Sequence, residues 1–191
     1  MANNNHAHHL RPFLSKELRN VLVDIVLEQL EPHQDSFDSI AACGVSMLSI
    51  SPIIAHLMNK QLVVVRKKTD KENNSGKIVE FVDKPERYII IDDLVATGRT
   101  ILYINDCMQK HASGQLVGVM PTYNLISCMM FNIDYGELGE NFGNYQKYFY
   151  LDNVHVPYLH KDISRETFDK YSKVVRSVND RINGVGVSNP T

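Results

Sequence analysis

The pattern of apolar and polar positions predicts helices that alternate with strands. Apolar residues recur every three or four positions up to residue 30, and Ser15 stands where an N-cap belongs, which predicts an amphipathic helix over residues 15–30 that Pro32 ends. Its apolar positions are Leu14, Leu18, Val21, Leu22, Ile25, Val26 and Leu30. A second helix is predicted with Pro52 in its first turn. Its apolar positions are Ile50, Ile53, Ile54, Leu57 and Met58.

Short runs of branched apolar residues predict the strands. Near-continuous apolar runs are typical of parallel strands that helices cover on both faces, and they occur at 61–65, 88–91 and 116–120. Two further short strands are predicted at 37–42 and 78–82. Because strands and helices alternate, the sequence predicts an α/β fold with a central, mostly parallel sheet, flanking helices and right-handed crossovers.

The elements after the 88–91 strand follow the same logic. The next helix is predicted to bury Ile101, Ile104 and Met108 and to end at Gly114, which is expected to adopt the left-handed cap conformation. The final helix is predicted to begin after Ser164, with Ile163 and Phe168 as a hydrophobic staple. Its buried stripe is predicted to be Phe168, Tyr171, Val174, Val175 and Val178.

One domain accounts for most of the chain. Residues 1–14 are expected to form a flexible, histidine-containing leader, whose His6, His8 and His9 leave adventitious metal binding as an alternative. Residues 15–182 are expected to form a single domain, and residues 183–191 a frayed tail. A small hood subdomain is predicted mainly over 121–162, a region rich in Tyr, Asn and Gly with strand candidates at 148–151 and 154–156.

Composition and charge limit the class of protein. A length of 191 residues with 43% hydrophobic and 22% charged content is typical of a soluble globular domain. A net charge of −2 gives no general attraction to nucleic acid or to anionic membranes. There is no signal-peptide pattern and no apolar run long enough to cross a bilayer. We therefore expect a cytoplasmic protein in which Cys43, Cys107 and Cys128 are reduced thiols.

The residues that follow the 88–91 strand predict a site for a phosphorylated sugar. Asp92 and Asp93 come at the carboxyl edge of the sheet, where open α/β folds bind ligands. The start of the next helix offers free backbone amides, and Gly98 lets a phosphate approach the main chain closely. This phosphate cradle is predicted to comprise Ala96, Thr97, Gly98, Arg99 and Thr100. The carboxylates would hold sugar hydroxyls while the cradle holds the phosphate.

The segment from Ile89 to Thr100 closely resembles the signature with which type I phosphoribosyltransferases bind 5-phosphoribosyl-1-pyrophosphate (PRPP). That signature is an apolar run, two acids and a T-G-x-T loop, and Arg99 departs from the small residue often found in the loop. Two further segments match in family order. The first, Ala42-Cys43-Gly44-Val45-Ser46, resembles the loop that holds the diphosphate of PRPP, and its Ala42, Cys43, Gly44 and Val45 would bind that group. The second, Arg66-Lys67-Lys68, resembles the opening of the catalytic loop.

The resemblance implies roles for these residues. Arg66 and Lys67 would bind the diphosphate, and together with Lys71 they would neutralise it as it leaves. Lys71 lies one residue later than the usual second lysine of the family, which weakens its assignment. Asp92 and Asp93 would hold the ribose hydroxyls and favour the oxocarbenium-like transition state. The group that takes a proton from the base is left open.

The resemblance further implies an enzyme with the type I phosphoribosyltransferase fold. It would transfer the phosphoribosyl group of PRPP to a nitrogenous base and release diphosphate, as a homodimer. It would use Mg²⁺ held through PRPP, with Asp92 and Asp93 able to reach the ion through water. The Asp92–Gly98 segment is most similar to adenine phosphoribosyltransferases, which favours a purine base and nucleotide salvage. The alternatives are an orotate or other pyrimidine phosphoribosyltransferase, a PRPP-binding regulator without turnover, or a structural paralogue.

The acceptor base is the least determined part of the prediction. Aromatic side chains that could stack on it are Tyr123, Phe149, Tyr150 and Tyr158, although burial in a core or a dimer interface is the more ordinary role for each. His155 and His160 could contact the base, with ordinary packing as the alternative.

Overall fold

The protein is built around a five-stranded sheet. A computed structural model describes residues 13–67, 76–93, 97–122, 129, 148–151, 154–159 and 163–183. The strands of the main sheet are β1 Ser39–Cys43, β2 Gln61–Val65, β3 Val79–Glu80, β4 Arg87–Asp92 and β5 Gln115–Pro121. Their order is β3-β2-β1-β4-β5, with β3 antiparallel to β2 and the other neighbours parallel. Two further strands, β6 Tyr148–Leu151 and β7 Val154–Pro157, form a separate antiparallel pair.

The helices begin where the sequence places caps and prolines. They are α1 Lys16–Leu30, α2 Val45–Leu48, α3 Ser51–Leu57, α4 Arg99–His111 and α5 Arg165–Asn183, with a 3₁₀ helix at Glu31–Ser36. Ser15 caps α1 by accepting a hydrogen bond of 3.3 Å from the amide of Leu18. Pro52 lies in the first turn of α3, as predicted, but the segment before it forms the separate helix α2.

Two apolar clusters, one on each face of the sheet, form the core. Ile40 and Ile89 pack with α1, α3 and α5, whereas Ala41 and Ile90 pack with α4 on the opposite face. Adjacent residues of a strand point to opposite faces, so β1 and β4 are buried throughout except at Arg87. The predicted fold class, a mostly parallel sheet flanked by helices, is confirmed.

Helix α5 packs against α1. Ile163 and Phe168 are both buried, as expected of a staple, and the Thr167 amide donates a 3.1 Å hydrogen bond to Ser164 Oγ. Across the interface the Tyr171 hydroxyl donates to Asp24 Oδ2 at 2.8 Å. Two apolar positions of the predicted stripes are instead on the surface, since Leu14 is 64% exposed and Val174 is 40% exposed.

Several predicted details need correction. Ile53 and Leu57 of α3 are exposed, since the helix presents only one side to the sheet. Strand β2 has the predicted bounds, but Leu62 and Val64 are only half-buried because its outer neighbour β3 is just two residues long.

The prediction for Gly114 is also wrong. Ser113, with φ +58°, adopts the left-handed conformation after α4 instead. Glycine is needed at 114 for space, because a Cβ there would lie 2.7 Å from the carbonyl oxygen of Pro85.

Other sequence-based expectations concern cysteines, termini and membranes. Cys43 and Cys107 are free thiols, and Cys128 lies outside the described residues. Phe13, in the predicted leader, is fully buried. Within the described ranges, no helix is both long and apolar enough to traverse a membrane.

Candidate active site

The strand order creates a crevice at one edge of the sheet. From β1 the chain proceeds to β2 on one side and later to β4 on the other, so the strand order reverses between β1 and β4. Ligands of open α/β sheets bind at such a switch point, beyond the carboxyl ends of the strands. Gly44 follows β1, Lys67 comes shortly after β2, and Asp93 follows β4, which places all three at this edge.

The two aspartates lie together at the end of β4. Asp92 is buried, with only 4% of its surface exposed, whereas Asp93 is half-buried. The Asp93 amide donates to Asp92 Oδ1 at 3.1 Å, and Ser46 Oγ donates to Asp93 Oδ2 at 2.7 Å. The bond from Ser46, at the start of α2, ties the segment after β1 directly to the segment after β4.

The environment of Asp92 favours its protonated form. Burial, and after it the nearby charge of Asp93, raise the pKa of this carboxyl to about 7, against the opposing effects of the hydrogen bond from the Asp93 amide and the charge of Lys67. The charge of Asp92 in turn adds to burial in raising the pKa of the Tyr158 phenol. Asp92 therefore lies within electrostatic range of both a cation and a phenol.

Gly44 and Lys67 meet across the crevice. Gly44 has φ +84°, a conformation that favours glycine, and begins the turn into α2. A Cβ at this position would lie 3.3 Å from Lys67 Cε and 3.5 Å from Lys67 Nζ. The glycine therefore gives the lysine side chain room to lie against the loop that is predicted to hold a diphosphate.

Arg66 makes different contacts from its neighbour. Its Nη2 lies 2.6 Å and its Nε 2.9 Å from Glu80 Oε1, so the guanidinium forms an ion pair with β3. Of the predicted diphosphate loop, Ala42 and Cys43 are buried strand residues, while Val45 is 73% exposed. Gly44 and Lys67 are thus the predicted diphosphate residues that the structure brings together.

Helix α4 opens toward the same edge. Gly98 is its N-cap in the left-handed conformation, with φ +69° and ψ 0°, and the first helical hydrogen bond runs from the Leu102 amide to the Gly98 carbonyl at 2.9 Å. The amides of Arg99 and Thr100 precede that bond and belong to the first turn, where helices leave amides without a helical partner. Together with the helix dipole, this geometry suits a phosphate.

The hydrogen bond from Ser46 to Asp93 and the Tyr158–Asp92 proximity were not predicted. Ser46 and Asp93 are 47 positions apart, and no local sequence pattern signals their hydrogen bond. Tyr158 reaches the sheet through a parallel bridge with Val119, and the Leu159 amide donates to the Val119 carbonyl at 2.9 Å. The remaining predicted contacts fall outside the described backbone or side chains, namely Lys71, Ala96, Tyr123, Phe149, Tyr150, His155 and His160.

The donor set bears on how a divalent cation could bind. Among the described residues, no group of three or more His, Cys, Asp or Glu side chains is placed to hold a metal ion. The adjacent Asp92 and Asp93 offer carboxylate oxygens, which suit Mg²⁺ when a ligand and water supply the rest of its shell. The described residues therefore fit an ion carried in with a phosphorylated ligand.

Fold and site together define an α/β protein with paired acids and the amino end of a helix at a topological switch point. No family model matches the chain. It is similar to the orotate phosphoribosyltransferase of Pyrococcus horikoshii, with 28% identity over 105 residues, which cover 54% of this chain and 55% of that protein. It is 26% identical over 86 residues to the orotate phosphoribosyltransferase of Coxiella burnetii, covering 45% of this chain and 41% of the relative.

These relatives confirm the resemblance to type I phosphoribosyltransferases, and the chain spans about half the length of the curated relatives it matches. Among solved structures, the orotate phosphoribosyltransferase of Aeropyrum pernix is similar at 14% identity with a TM-score of 0.47, covering 83% of this chain and 78% of that one.

Proposed function

We propose that this protein transfers the 5-phosphoribosyl group of PRPP to a nitrogenous base and releases diphosphate. The observation that carries the proposal is the convergence, at one sheet edge, of the Gly44–Lys67 contact, the Asp92–Asp93 pair and the amino end of α4. PRPP has a diphosphate, vicinal hydroxyls and a 5′-phosphate, and each of these groups would find a matching partner there.

The acceptor base we propose first is orotate. The curated relatives are named orotate phosphoribosyltransferases, which favours the pyrimidine alternative over the purine base that the Asp92–Gly98 segment suggests. A purine remains the second candidate because of that segment's similarity to the adenine enzymes. The base would bind beside the crevice. Among the predicted aromatic candidates, Tyr158 is the one whose side chain the structure describes.

Each part of the site would have one task. The amides at the start of α4 would hold the 5′-phosphate, and Asp93, oriented by Ser46, would accept hydrogen bonds from ribose hydroxyls. Lys67 would neutralise charge on the diphosphate as the bond to the anomeric carbon breaks. Ionised Asp92 would favour the positive charge that develops on the ribose, and Lys67 helps to keep it ionised.

Mg²⁺ is the cofactor we propose, bound mainly through the oxygens of PRPP. Asp92 and Asp93 are the residues that would hold it, directly or through water. When bound, the ion would neutralise part of the diphosphate charge. A second copy of the chain is proposed as a partner by analogy with the family alone.

The test is an assay of diphosphate release from PRPP and Mg²⁺ with one base at a time. We expect release with orotate and none with adenine, guanine, hypoxanthine, xanthine, uracil or nicotinate. Lys67→Met, which keeps most of the side-chain length but removes the charge, should lower kcat by about tenfold or more because it removes a cation from the leaving group.

Lys60→Met is the matched control. Lys60 lies at the opposite end of β2 and donates to the Gln34 carbonyl, so its loss should leave the rate unchanged. Turnover with adenine alone would replace orotate by a purine as the substrate. Binding of PRPP without release of diphosphate in the presence of any of these bases would contradict the proposed enzymatic activity. It would favour a regulator that senses PRPP.

A further inference from the structure

We propose that Tyr103 and Glu80 are positioning residues, which hold the junction between Arg66 and Lys67 at a fixed distance from the phosphate cradle. The inference rests on the proposed function, because it assigns a task to residues around the same site. The family resemblance implies that Arg66 binds the diphosphate. In this inference Arg66 instead anchors the main chain.

Three groups of Arg66 are engaged at once. Its amide donates to the Ile78 carbonyl at 2.9 Å, and its carbonyl accepts a 2.6 Å hydrogen bond from the Tyr103 hydroxyl. Its guanidinium pairs with Glu80 on β3, and the side chains of that pair are 33% and 35% exposed. Main chain and side chain of Arg66 are therefore both fixed, from α4 on one side and from β3 on the other.

Fixing Arg66 determines where Lys67 begins. The Arg66 side chain is turned toward Glu80 of β3, and its carbonyl faces Tyr103 of α4. The Lys67 side chain lies against Gly44. The anchor on Arg66 thus directs the lysine to the segment that follows β1.

Helix α4 links the two ends of the site. Gly98 and Thr100 at its amino end contribute to the phosphate cradle, and Tyr103 follows one turn later, about 5 Å along the helix axis. The same rigid element thus carries the cradle and grips the chain that bears Lys67. A ligand with phosphates at both ends depends on this spacing, because binding at one end sets the position of the other.

The experiment compares one ligand that spans both ends with one that occupies a single end. Affinities for PRPP with Mg²⁺ and for ribose 5-phosphate are measured by isothermal titration with the wild-type protein and with Tyr103→Phe. Removing the hydroxyl should weaken PRPP about fivefold, as expected for one lost hydrogen bond, and should leave ribose 5-phosphate unchanged. If the hydroxyl served stability alone, its removal would lower the melting temperature and would change the two affinities by the same factor.

Tyr88→Phe is the matched control. Its hydroxyl also donates to α4, but to Asn105 Oδ1 at 2.8 Å and not to the main chain of Arg66. It should cost stability while both affinities stay at the wild-type values. Equal loss of PRPP affinity in Tyr88→Phe and Tyr103→Phe would overturn the inference, because a general loosening of α4 would then explain both.

Glu80→Gln gives a second test with a sign of its own. If Glu80 anchors Arg66, the variant should weaken PRPP. If Glu80 merely withholds Arg66 from the diphosphate, the variant should tighten PRPP, and that result would overturn the inference. Wild-type protein that binds ribose 5-phosphate but not PRPP would overturn the proposed function and this inference with it. Wild-type binding of PRPP that Tyr103→Phe retains in full would overturn this inference alone.

Discussion

Asp92 carries a conflict between stability and function. Its carboxyl is buried at the end of β4 beside a second carboxyl, and both features oppose ionisation. The role we propose for it, balancing positive charge on a ribose, requires the ionised form. In the enzyme we propose, a Mg²⁺ ion bound through PRPP would place positive charge near the pair and so favour ionisation. Without that ligand, ionisation of Asp92 lowers the stability of the folded protein.

This conflict predicts that Asp92→Asn stabilises the protein above neutral pH. The folded pKa, about 7, lies above the ordinary aspartate value of 3.8, so this carboxyl costs no stability below pH 3.8 and lowers the stability progressively as the pH rises to about 7. Above pH 7, a pKa difference of about three units lowers the free energy of unfolding by an amount on the order of 4 kcal/mol. The variant should therefore melt several degrees above wild type at pH 8 and above it by a smaller margin at pH 5, as measured by calorimetry.

Asp106→Asn is the control for that experiment, since it makes the same chemical change at an exposed position of α4. It should leave the melting temperature unchanged at both values of pH. A melting temperature for Asp92→Asn at pH 8 that equals or falls below wild type would show that burial of this carboxyl has no such cost.

At the scale of elements, α4 has the largest number of proposed tasks. Its amino end would form the phosphate cradle, its buried face packs against β1 and β4, and Tyr103 donates a hydrogen bond to the chain after β2. Its placement depends on Gly98, whose left-handed conformation turns the chain into the helix. Few L-residues adopt that conformation without strain, so this glycine is required by the backbone and not only by space.

Gly98→Ala should therefore weaken phosphate binding more than it harms the fold. The left-handed conformation costs an alanine roughly 1–2 kcal/mol, and relief of that strain would tilt the first turn of α4. We expect at least a tenfold loss of affinity for ribose 5-phosphate in isothermal titration and a fall of a few degrees in Tm. Asn59→Ala places alanine at another left-handed position, φ +53°, remote from the crevice. Loss of affinity in both variants alike would argue against a cradle at Gly98.

The elements themselves were largely predictable because their causes are local. Ser15 caps α1 and Pro52 lies in the first turn of α3, and both are readable from the sequence. Predictions failed where packing decides: Val174 has helical spacing but faces solvent, and Gly114 serves close approach to Pro85 rather than a left-handed cap. Local sequence indicates an apolar side chain or a flexible backbone but not which neighbour will lie beside it.

At the scale of the whole molecule, the strand order assembles the site from segments that are distant in sequence. The signature after β4 was readable by itself, because strand, acids and helix start are contiguous in the chain. The bond from Ser46 to Asp93 and the pair of Arg66 with Glu80 depend on which strands become neighbours. The sequence therefore indicated the contiguous residues after β4 but not the pairing of Arg66 with β3.

We expect PRPP to bind in this crevice. The most direct measurement is isothermal titration of the full chain with PRPP and Mg²⁺, alongside the double variant Asp92→Asn with Asp93→Asn. We predict saturable binding at one site per chain and, at a hundredfold excess over Kd, stabilisation by about 2.7 kcal/mol, which raises Tm by roughly 5–10 °C. The folded double variant should bind no PRPP. No heat and no shift in Tm at millimolar PRPP, or equal binding by the double variant, would contradict PRPP binding in this crevice.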